Sequence, residues 1–153
     1  EDELNAFNTL PEFPEHLSQE LCRIALMQIL PALASENFID FSSGIGKLQS
    51  TVGDHFSKIQ GGRFANPNIN MVLRYAEQLG YVGIGQSSWG PTGFILAESE
   101  ISAHTLQKDI NKKFPDAGIN SVIVTGRNKG HVLDVTQAAA NKSKQKEVIP
   151  EKV

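Results

Sequence analysis

The stretch from Tyr81 to Phe94, YVGIGQSSWGPTGF, determines how the rest of the chain folds. It opens with β-forming residues directly after Leu79-Gly80, a pair typical of a helix end, and a second strand begins at Phe94. The connection between the two strands is longer than a tight hairpin turn requires. Its glycines and short polar side chains are typical of a loop that brings backbone close to a ligand. The alternative is a purely structural connection in which Trp89 fills the core.

Three standard nucleotide or nucleophile motifs do not fit this loop. A G-x-S-x-G nucleophile elbow fails around both Ser87 and Ser88, because one of its two glycine positions is replaced in each case. A dinucleotide fingerprint that starts at Gly83 would need a glycine where Ser88 stands. The lysine of a Walker A loop is also missing from the stretch. The loop is therefore not a generic nucleotide-binding loop.

The string GQSSWGPT, Gly85 to Thr92, resembles the signature of the β-ribofuranosylaminobenzene 5′-phosphate synthases. These enzymes are members of the GHMP kinase superfamily and act at the start of methanopterin biosynthesis. The runs from Leu30 to Leu33 and from Phe41 to Gly62 also resemble the C-terminal half of that family. In GHMP kinases the equivalent loop is a run of glycines. Here Gln86 to Trp89 replaces part of that run, which argues against ordinary sugar-kinase chemistry.

The resemblance implies an enzyme that condenses an aromatic acid, 4-aminobenzoate or 4-hydroxybenzoate, with phosphoribosyl pyrophosphate and releases carbon dioxide and pyrophosphate. It places substrate binding on the loop and leaves the catalytic residues unknown. Hydroxyl groups and glycine amides can form an anion-binding concavity, and a tryptophan can stack on an aromatic substrate. The substrate-binding residues implied are Gly85, Gln86, Ser87, Ser88, Trp89, Gly90 and Thr92.

The phosphate-binding loop of the superfamily, a Pro-led Gly-Ser-Ser-Ala motif, is not found in this sequence. We therefore expect a C-terminal fragment that is inactive alone, whose partners are a small-molecule substrate and the missing N-terminal domain. The resemblance implies no cofactor in this chain, allows Mg²⁺ in the complete enzyme and leaves a homodimer open. Two other function classes stay open: an ATP-dependent GHMP-type small-molecule kinase, and a non-catalytic module that binds a ligand or a partner.

Composition excludes several other classes. The formal net charge is −3 over 153 residues, so the chain lacks the basic surface expected of a nucleic-acid-binding protein. No apolar run reaches transmembrane length and no signal peptide opens the chain, so we expect no membrane partner. The single cysteine, Cys22, cannot form an internal disulfide and fits a reducing cytoplasm. The four histidines lack metal-ligand spacing, so we expect no metal site.

Hydrophobic periodicity predicts four helical segments. The first runs from Pro14 and is interrupted at Pro31, and the second covers residues 38 to 59 and ends at Gly61-Gly62. The third begins at Asn66-Pro67 with Ile69, Val72, Leu73 and Ala76 inward, and the fourth follows an N-cap at Ser99 with Ile101, Leu106 and Ile110 buried. The apolar stripe of the second helix comprises Phe38, Phe41, Ile45, Leu48, Val52, Phe56 and Ile59. Its glycines Gly44, Gly46 and Gly53 indicate that something packs closely against that helix.

Strands are predicted around the loop, at Ile119 to Thr125 and at Val132 to Val135. The order of elements predicts an α+β fold, a ferredoxin-like antiparallel sheet with extra helices packed on one face, as in a GHMP kinase C-terminal domain. One edge of the sheet is expected to be open or filled by a partner strand. We assign residues 1–136 to this domain and residues 137–153 to a polar tail.

Three further candidates have a structural explanation that we prefer. Cys22 fits a small core residue on its helix. Asp54 and His55 fit a polar helix face, since no partner for acid-base chemistry is visible beside them. The basic tip from Gly126 to Gly130 fits a solvated turn better than a phosphate contact.

Overall fold

The computed structural model describes residues 10–88, 90–126 and 129–130. Residues Glu1–Ile123 form one compact unit, and Val124–Val153 form a second. All helices and strands described below belong to the first unit. The strand predicted at Val132 to Val135 and the tail assigned to residues 137–153 lie outside the described residues, so both stay predictions.

The first helical segment is continuous but changes its hydrogen-bond pattern before a proline. Helix α1 spans Glu15–Ile24, a π-helical turn spans Ala25–Ile29, and helix α2 spans Leu30–Ala34. Pro31, in the first turn of α2, has no N–H and its ring would crowd the carbonyl four residues earlier. The wider π-turn immediately before it lets the chain continue without that clash. The interruption predicted at Pro31 is therefore a π-turn just before the proline and not a break in the helical segment.

Helix α3, Phe38–Gln60, matches the prediction at both ends. Asn37 caps its first turn by accepting a hydrogen bond from the backbone N–H of Asp40, 3.1 Å away. Gly61 ends the helix in the left-handed conformation, with φ of 81°, which glycine adopts at little cost. Helix α3 packs against α1, the π-turn and α2, so these elements form the predicted helical hairpin.

The sheet in the described part of the chain is a two-stranded antiparallel ribbon that flanks the glycine-rich loop. Strand β1, Ile84–Gln86, pairs with β2, Gly93–Ile95, with Gly85 opposite Phe94. Helix α4, Pro67–Gln78, precedes the ribbon and begins at the Asn66 cap. Helix α5, Glu100–Lys113, follows it with a capping box between Ser99 and Ser102.

One hydrophobic cluster joins the ribbon to α4 and α5. Ile84 is buried in it, and Ile95, directly opposite on β2, packs against it. Because opposite residues of an antiparallel pair share one face, α4 and α5 cover that face of the ribbon. The other members of the buried cluster are Phe64, Val72, Leu73, Ala76, Leu106 and Ile110. The mixed helical and antiparallel architecture confirms the predicted α+β class.

Helix α3 runs alongside β1, where its glycines allow close approach. A Cβ atom at Gly46 would overlap the carbonyl oxygen of Val82. A Cβ atom at Gly83, just before β1, would lie 2.9 Å from Cβ of Ser42. On the far side of the ribbon, the backbone amides of β2 that face away from β1 make no backbone hydrogen bond within the described residues. The expectation of one open or partner-filled edge stays a prediction, because residues 131–153 lie outside the described part of the chain.

Some burial predictions are wrong. Along the predicted stripe of α3, six side chains are half-buried and Ile59 is exposed, whereas Ser42 and Gly44 are the buried residues of that helix. The polar Ser42 can be buried because its hydroxyl donates to the Ile39 carbonyl. Ile101 is 80% exposed, because it lies in the first turn of α5, before the buried stretch.

The strand predicted at Ile119 to Thr125 is not formed, since residues 119 to 126 belong to no helix or strand. Side-chain burial still alternates there: Ile119, Ser121 and Ile123 are half-buried, and Val122 and Val124 are exposed. The segment has the period of a strand but no backbone hydrogen bond to another strand in the described residues, and such pairing defines a strand; its Ser121 carbonyl instead accepts from the Gln107 side chain.

We predict that Gly46→Ala destabilises the protein, whereas Gly44→Ala has little net effect. Each alanine gains about 1 kcal/mol of helix propensity. At position 46 the added methyl meets fixed backbone at Val82, and such overpacking costs about 1–3 kcal/mol or more. At position 44 it meets Cγ1 of Ile29 at 2.6 Å, a side-chain atom that can move. Urea denaturation of both variants gives the two free energies of unfolding, and equal stability of the two would show that α3 does not contact β1 this closely.

Candidate functional site

The loop between the strands is tightly held at its base. The Ser87 amide donates to the Thr92 carbonyl at 2.9 Å, and the Gly90 amide donates to the Ser87 carbonyl at 3.0 Å. Ser88 has φ of 51°, a left-handed conformation that is uncommon for a residue with a side chain. Gly90-Pro91 is a cis peptide bond. Short backbone bonds thus close the loop into a compact turn.

The hydroxyl groups of Ser87, Ser88 and Thr92 have no hydrogen-bond partner among the described residues. Ser87, Ser88 and Thr92 are exposed. None of their hydroxyls makes a hydrogen bond with any part of the chain that the structure describes. The loop is therefore not held together by its hydroxyl groups, which leaves them available to a ligand.

Unlike these hydroxyl groups, the side-chain amide of Gln86 forms hydrogen bonds through both its oxygen and its nitrogen. Its Oε1 accepts from the Ala65 amide at 2.7 Å. Its Nε2 donates to the Ser88 carbonyl at 2.9 Å and to Oε1 of Gln60 at 3.3 Å. A primary amide has two donors, and both are used here. Gln86 therefore ties the loop to the connection between α3 and α4.

Two glutamines of α3 complete this network. Gln49 Oε1 accepts from the backbone N–H of Gln86 at 3.1 Å. Gln60 Nε2 donates to the Arg63 carbonyl at 2.9 Å and to the Gly53 carbonyl at 3.5 Å. Each amide is anchored to a backbone group whose polarity is fixed, so the positions of its oxygen and nitrogen are fixed as well.

A cleft of about 190 Å³ lies between α3, the α3–α4 connection and the loop. Its described lining combines apolar side chains with amide groups and one guanidinium: Gln49, Val52, Gly53, Phe56, Gln60, Arg63, Phe64, Gln86 and Ser88. The α3 members fall at positions i, i+3, i+4, i+7 and i+11 counted from Gln49, so they lie on one side of the helix. The cleft thus includes two of the predicted site residues, Gln86 and Ser88.

Arg63 is the one charged residue in the described lining of this cleft. Its Nε and Nη2 donate to Oδ1 and Oδ2 of Asp54, both at 2.7 Å. These hydrogen bonds raise the pKa of the Arg63 guanidinium, so it stays charged. The Arg63 side chain is 25% exposed and the Asp54 side chain is 56% exposed. The pair therefore holds the guanidinium at the cleft and leaves the Asp54 side chain more exposed to water than that of Arg63.

The sequence reasoning missed Gln49, Gln60 and Arg63. Gln49 does not belong to the predicted apolar stripe, yet Gln49, Gly53, Phe56 and Gln60 recur at spacings of four, three and four. That spacing, together with a glycine in the middle of a helix, was the available signal. Nothing in the sequence pattern around Arg63 distinguishes it from a solvated basic residue. Trp89 lies outside the described residues, so its predicted role stays a prediction.

The three candidates for which a structural explanation was preferred have different outcomes. Cys22 is exposed, so its assignment to the core is wrong; on α1 it is Ile24 that is buried. The His55 ring lies between Phe13 and Phe56, with ring centres 4.7 and 5.3 Å away, and Asp54 is the partner of Arg63. Residues 127 and 128 of the basic tip lie outside the described residues.

Metal and membrane sites were also searched for in the described residues. No group of three or more His, Cys, Asp or Glu side chains there could hold a metal ion. None of the described helices combines the length and the apolar character needed to span a bilayer.

The fold is of the α+β class and has a cleft beside the loop, and comparison with known families identifies the domain further. Residues 29–116 match the family described as GHMP kinases C terminal. The match covers more than half of the chain, from the π-turn to just beyond α5, and includes the loop and the cleft. The chain therefore belongs to the GHMP kinase C-terminal family. No curated protein and no solved structure matches it.

We predict that Gln86→Ala lowers the free energy of unfolding by about 2 kcal/mol or more. The change leaves the Ala65 amide and the Gln60 amide oxygen without their partner, and each unpaired group costs about 1–3 kcal/mol where it is shielded from water. Gln78→Ala is the control, since Gln78 is exposed and makes no side-chain hydrogen bond in the described structure. Equal stabilities in urea denaturation would show that the Gln86 network does not hold the loop.

Proposed function

We propose that this chain is the C-terminal part of an enzyme similar to β-ribofuranosylaminobenzene 5′-phosphate synthase, and that Gly85 to Thr92 binds its substrate. One observation carries the proposal: the loop is fixed by backbone bonds and by Gln86, while the hydroxyls of Ser87, Ser88 and Thr92 stay exposed and unpaired in the described structure. A structural loop gains nothing from three such hydroxyls. A loop that receives an anionic or polyhydroxylated ligand needs donors held in place.

The proposed reaction joins an aromatic acid, 4-aminobenzoate or 4-hydroxybenzoate, to phosphoribosyl pyrophosphate with loss of carbon dioxide and pyrophosphate. Members of the GHMP kinase superfamily are generally enzymes, which supports an enzymatic role in the complete protein. Within this proposal the loop contributes substrate binding, and Trp89 offers an aromatic face for stacking. A missing N-terminal domain supplies the catalytic residues. We place the complete enzyme in the cytoplasm, where the single cysteine of this chain, Cys22, would stay reduced.

A GHMP-type kinase that uses ATP is the second candidate, because family membership is equally compatible with it. The loop string distinguishes the two. Gln86 to Trp89 replaces part of the glycine run typical of the kinases, and Gln86 uses its side chain to brace the loop. A non-catalytic module is the third candidate, and measurable turnover by the complete protein would exclude it.

We predict that Ser87→Ala and Ser88→Ala in the complete enzyme lower turnover or substrate affinity about tenfold or more. Both hydroxyls are exposed and unpaired in the described structure, so the free energy of unfolding should change by less than about 1 kcal/mol. Steady-state kinetics with 4-hydroxybenzoate and phosphoribosyl pyrophosphate gives the first quantity, and urea denaturation gives the second. Trp89→Phe should weaken the aromatic substrate more than the phosphorylated one.

The matched control is Ser18→Ala, which removes an exposed hydroxyl of α1 that also makes no hydrogen bond in the described structure. It should change neither turnover nor stability. Full activity in both loop variants would overturn the proposed role of the loop. Loss of activity that only follows loss of folded protein would show that the loop is structural. Turnover with ATP and a hydroxylated substrate, without the transferase reaction, would favour the kinase.

A further inference from the structure

The cleft beside the loop is too small to enclose a whole substrate. Its volume is about 190 Å³, below the roughly 300 Å³ at which pockets begin to enclose a drug-sized ligand. One end of the cleft reaches Ser88, whose hydroxyl is exposed. The cleft therefore suits one end-group of a ligand whose remainder lies along the loop.

The hydrogen-bonding capacity left in the cleft consists mainly of donors. Gln86 and Gln60 have both of their amide N–H groups engaged with the protein. Gln49 differs, because its oxygen accepts from the Gln86 backbone while its Nε2 has no partner among the described residues. On Arg63, Nε and Nη2 bond Asp54, and Nη1 makes no hydrogen bond in the described structure.

The Gln49 amide nitrogen is also reachable. In the described structure no buried side-chain nitrogen or oxygen lacks a hydrogen-bond partner. An unpaired Nε2 on the half-buried Gln49 must therefore touch solvent. Since Gln49 lines the cleft, we infer that this nitrogen is in contact with the solvent that a ligand would displace.

No acidic side chain belongs to the described lining, so nothing there would repel a negative charge. The partner of Arg63, Asp54, is not part of that lining and is 56% exposed. The cleft thus offers two free donors, one of them cationic, beside the apolar side chains of Val52, Phe56 and Phe64. That combination matches an oxyanion attached to an apolar or ring-shaped group.

We propose that this cleft is the subsite for an oxyanion end-group, phosphate or carboxylate, with the Gln49 amide and the Arg63 guanidinium as its donors. Gln86 and Gln60 hold the walls of the subsite rather than contacting the ligand. The assignment rests on the proposed function, because it deepens the substrate site of the loop. It adds two binding residues outside the loop and states the chemical group that they receive.

The test uses the purified chain with inorganic phosphate and, separately, acetate as probes at constant ionic strength. Binding is followed by the NMR signals of the glutamine side-chain amides. A saturable shift of the Gln49 amide with phosphate alone identifies phosphate as the group, and with acetate alone identifies a carboxylate. Saturation with both supports an oxyanion subsite without preference. Saturation with neither probe overturns the proposal.

Gln49→Glu is the decisive variant. It keeps an oxygen for the Gln86 backbone N–H and nearly the same shape, but it replaces the free NH₂ donor by a negative oxygen. The affinity for the probe should fall at least tenfold. The matched control is Gln78→Glu, which makes the same charge change at an exposed position outside the cleft and should keep affinity within twofold. Unchanged affinity in Gln49→Glu overturns the proposal.

Arg63→Gln should also weaken the probe at least tenfold, with Arg74→Gln as its control, since Arg74 forms a comparable ion pair with Glu77 away from the cleft. Thermal unfolding of each variant, together with its amide spectrum, separates lost binding from lost fold. If the Gln49 variant loses binding but the Ser87 and Ser88 variants keep full turnover, the subsite stands and the proposed role of the loop in substrate binding fails. If turnover falls in the serine variants but the Gln49 variant binds the probe unchanged, the proposed role of the loop stands and the subsite proposal fails.

Discussion

The close approach of α3 to β1 is the constraint on which the rest of the site depends. Two small residues of the helix, Ser42 and Gly46, meet the backbone at Val82 and Gly83, and a Cβ at Gly85 would overlap Gln49. Side chains larger than these would push the helix away from the strand. Because the helix and strand backbones lie this close, a short glutamine side chain can span the gap between them. The glycines of α3 thus lower helix propensity but permit a helix–strand contact that no larger residue allows.

That contact determines what each polar group near the loop can do. Once Gln49 reaches the Gln86 backbone, the Gln86 side chain is directed to Ala65, Gln60 and Ser88. The loop is then braced from below by amides and closed at its base by backbone bonds. The loop is held by groups whose hydrogen bonds are all formed within the protein. The hydroxyls of the loop have no partner in the described structure and can therefore contact a ligand. Preorganised donors of this kind bind a ligand without the cost of ordering a mobile loop.

Periodicity and capping residues predicted much of the fold. The spacing of apolar residues predicted α3 and α4 with their ends, and Asn66 and Ser99 cap helices as their residue types suggest. Burial was predicted less well, because a stripe shows which side of a helix faces the protein but not how near the neighbouring element comes. Helix α3 is buried most deeply at Ser42 and Gly44, which face Gly83 and Ile29, and not at its large apolar residues. The strand predicted at 119 to 125 failed for a related reason, since pairing requires a neighbour that local sequence does not specify.

The candidate site was predicted only where its residues are consecutive. The loop string could be recognised as a unit, but Gln49, Gln60 and Arg63 reach the cleft from two other segments, and their roles follow from hydrogen bonds formed only in the folded chain. Asp54 shows most clearly how a role can depend on contacts that exist only in the folded chain. From sequence it is one carboxylate on a polar helix face, whereas in the fold it holds Arg63 at the cleft. Because the Asp54 side chain is 56% exposed and the Arg63 side chain only 25%, and because Asp54 does not belong to the described lining of the cleft, this neutral pair presents its cationic member to that cleft.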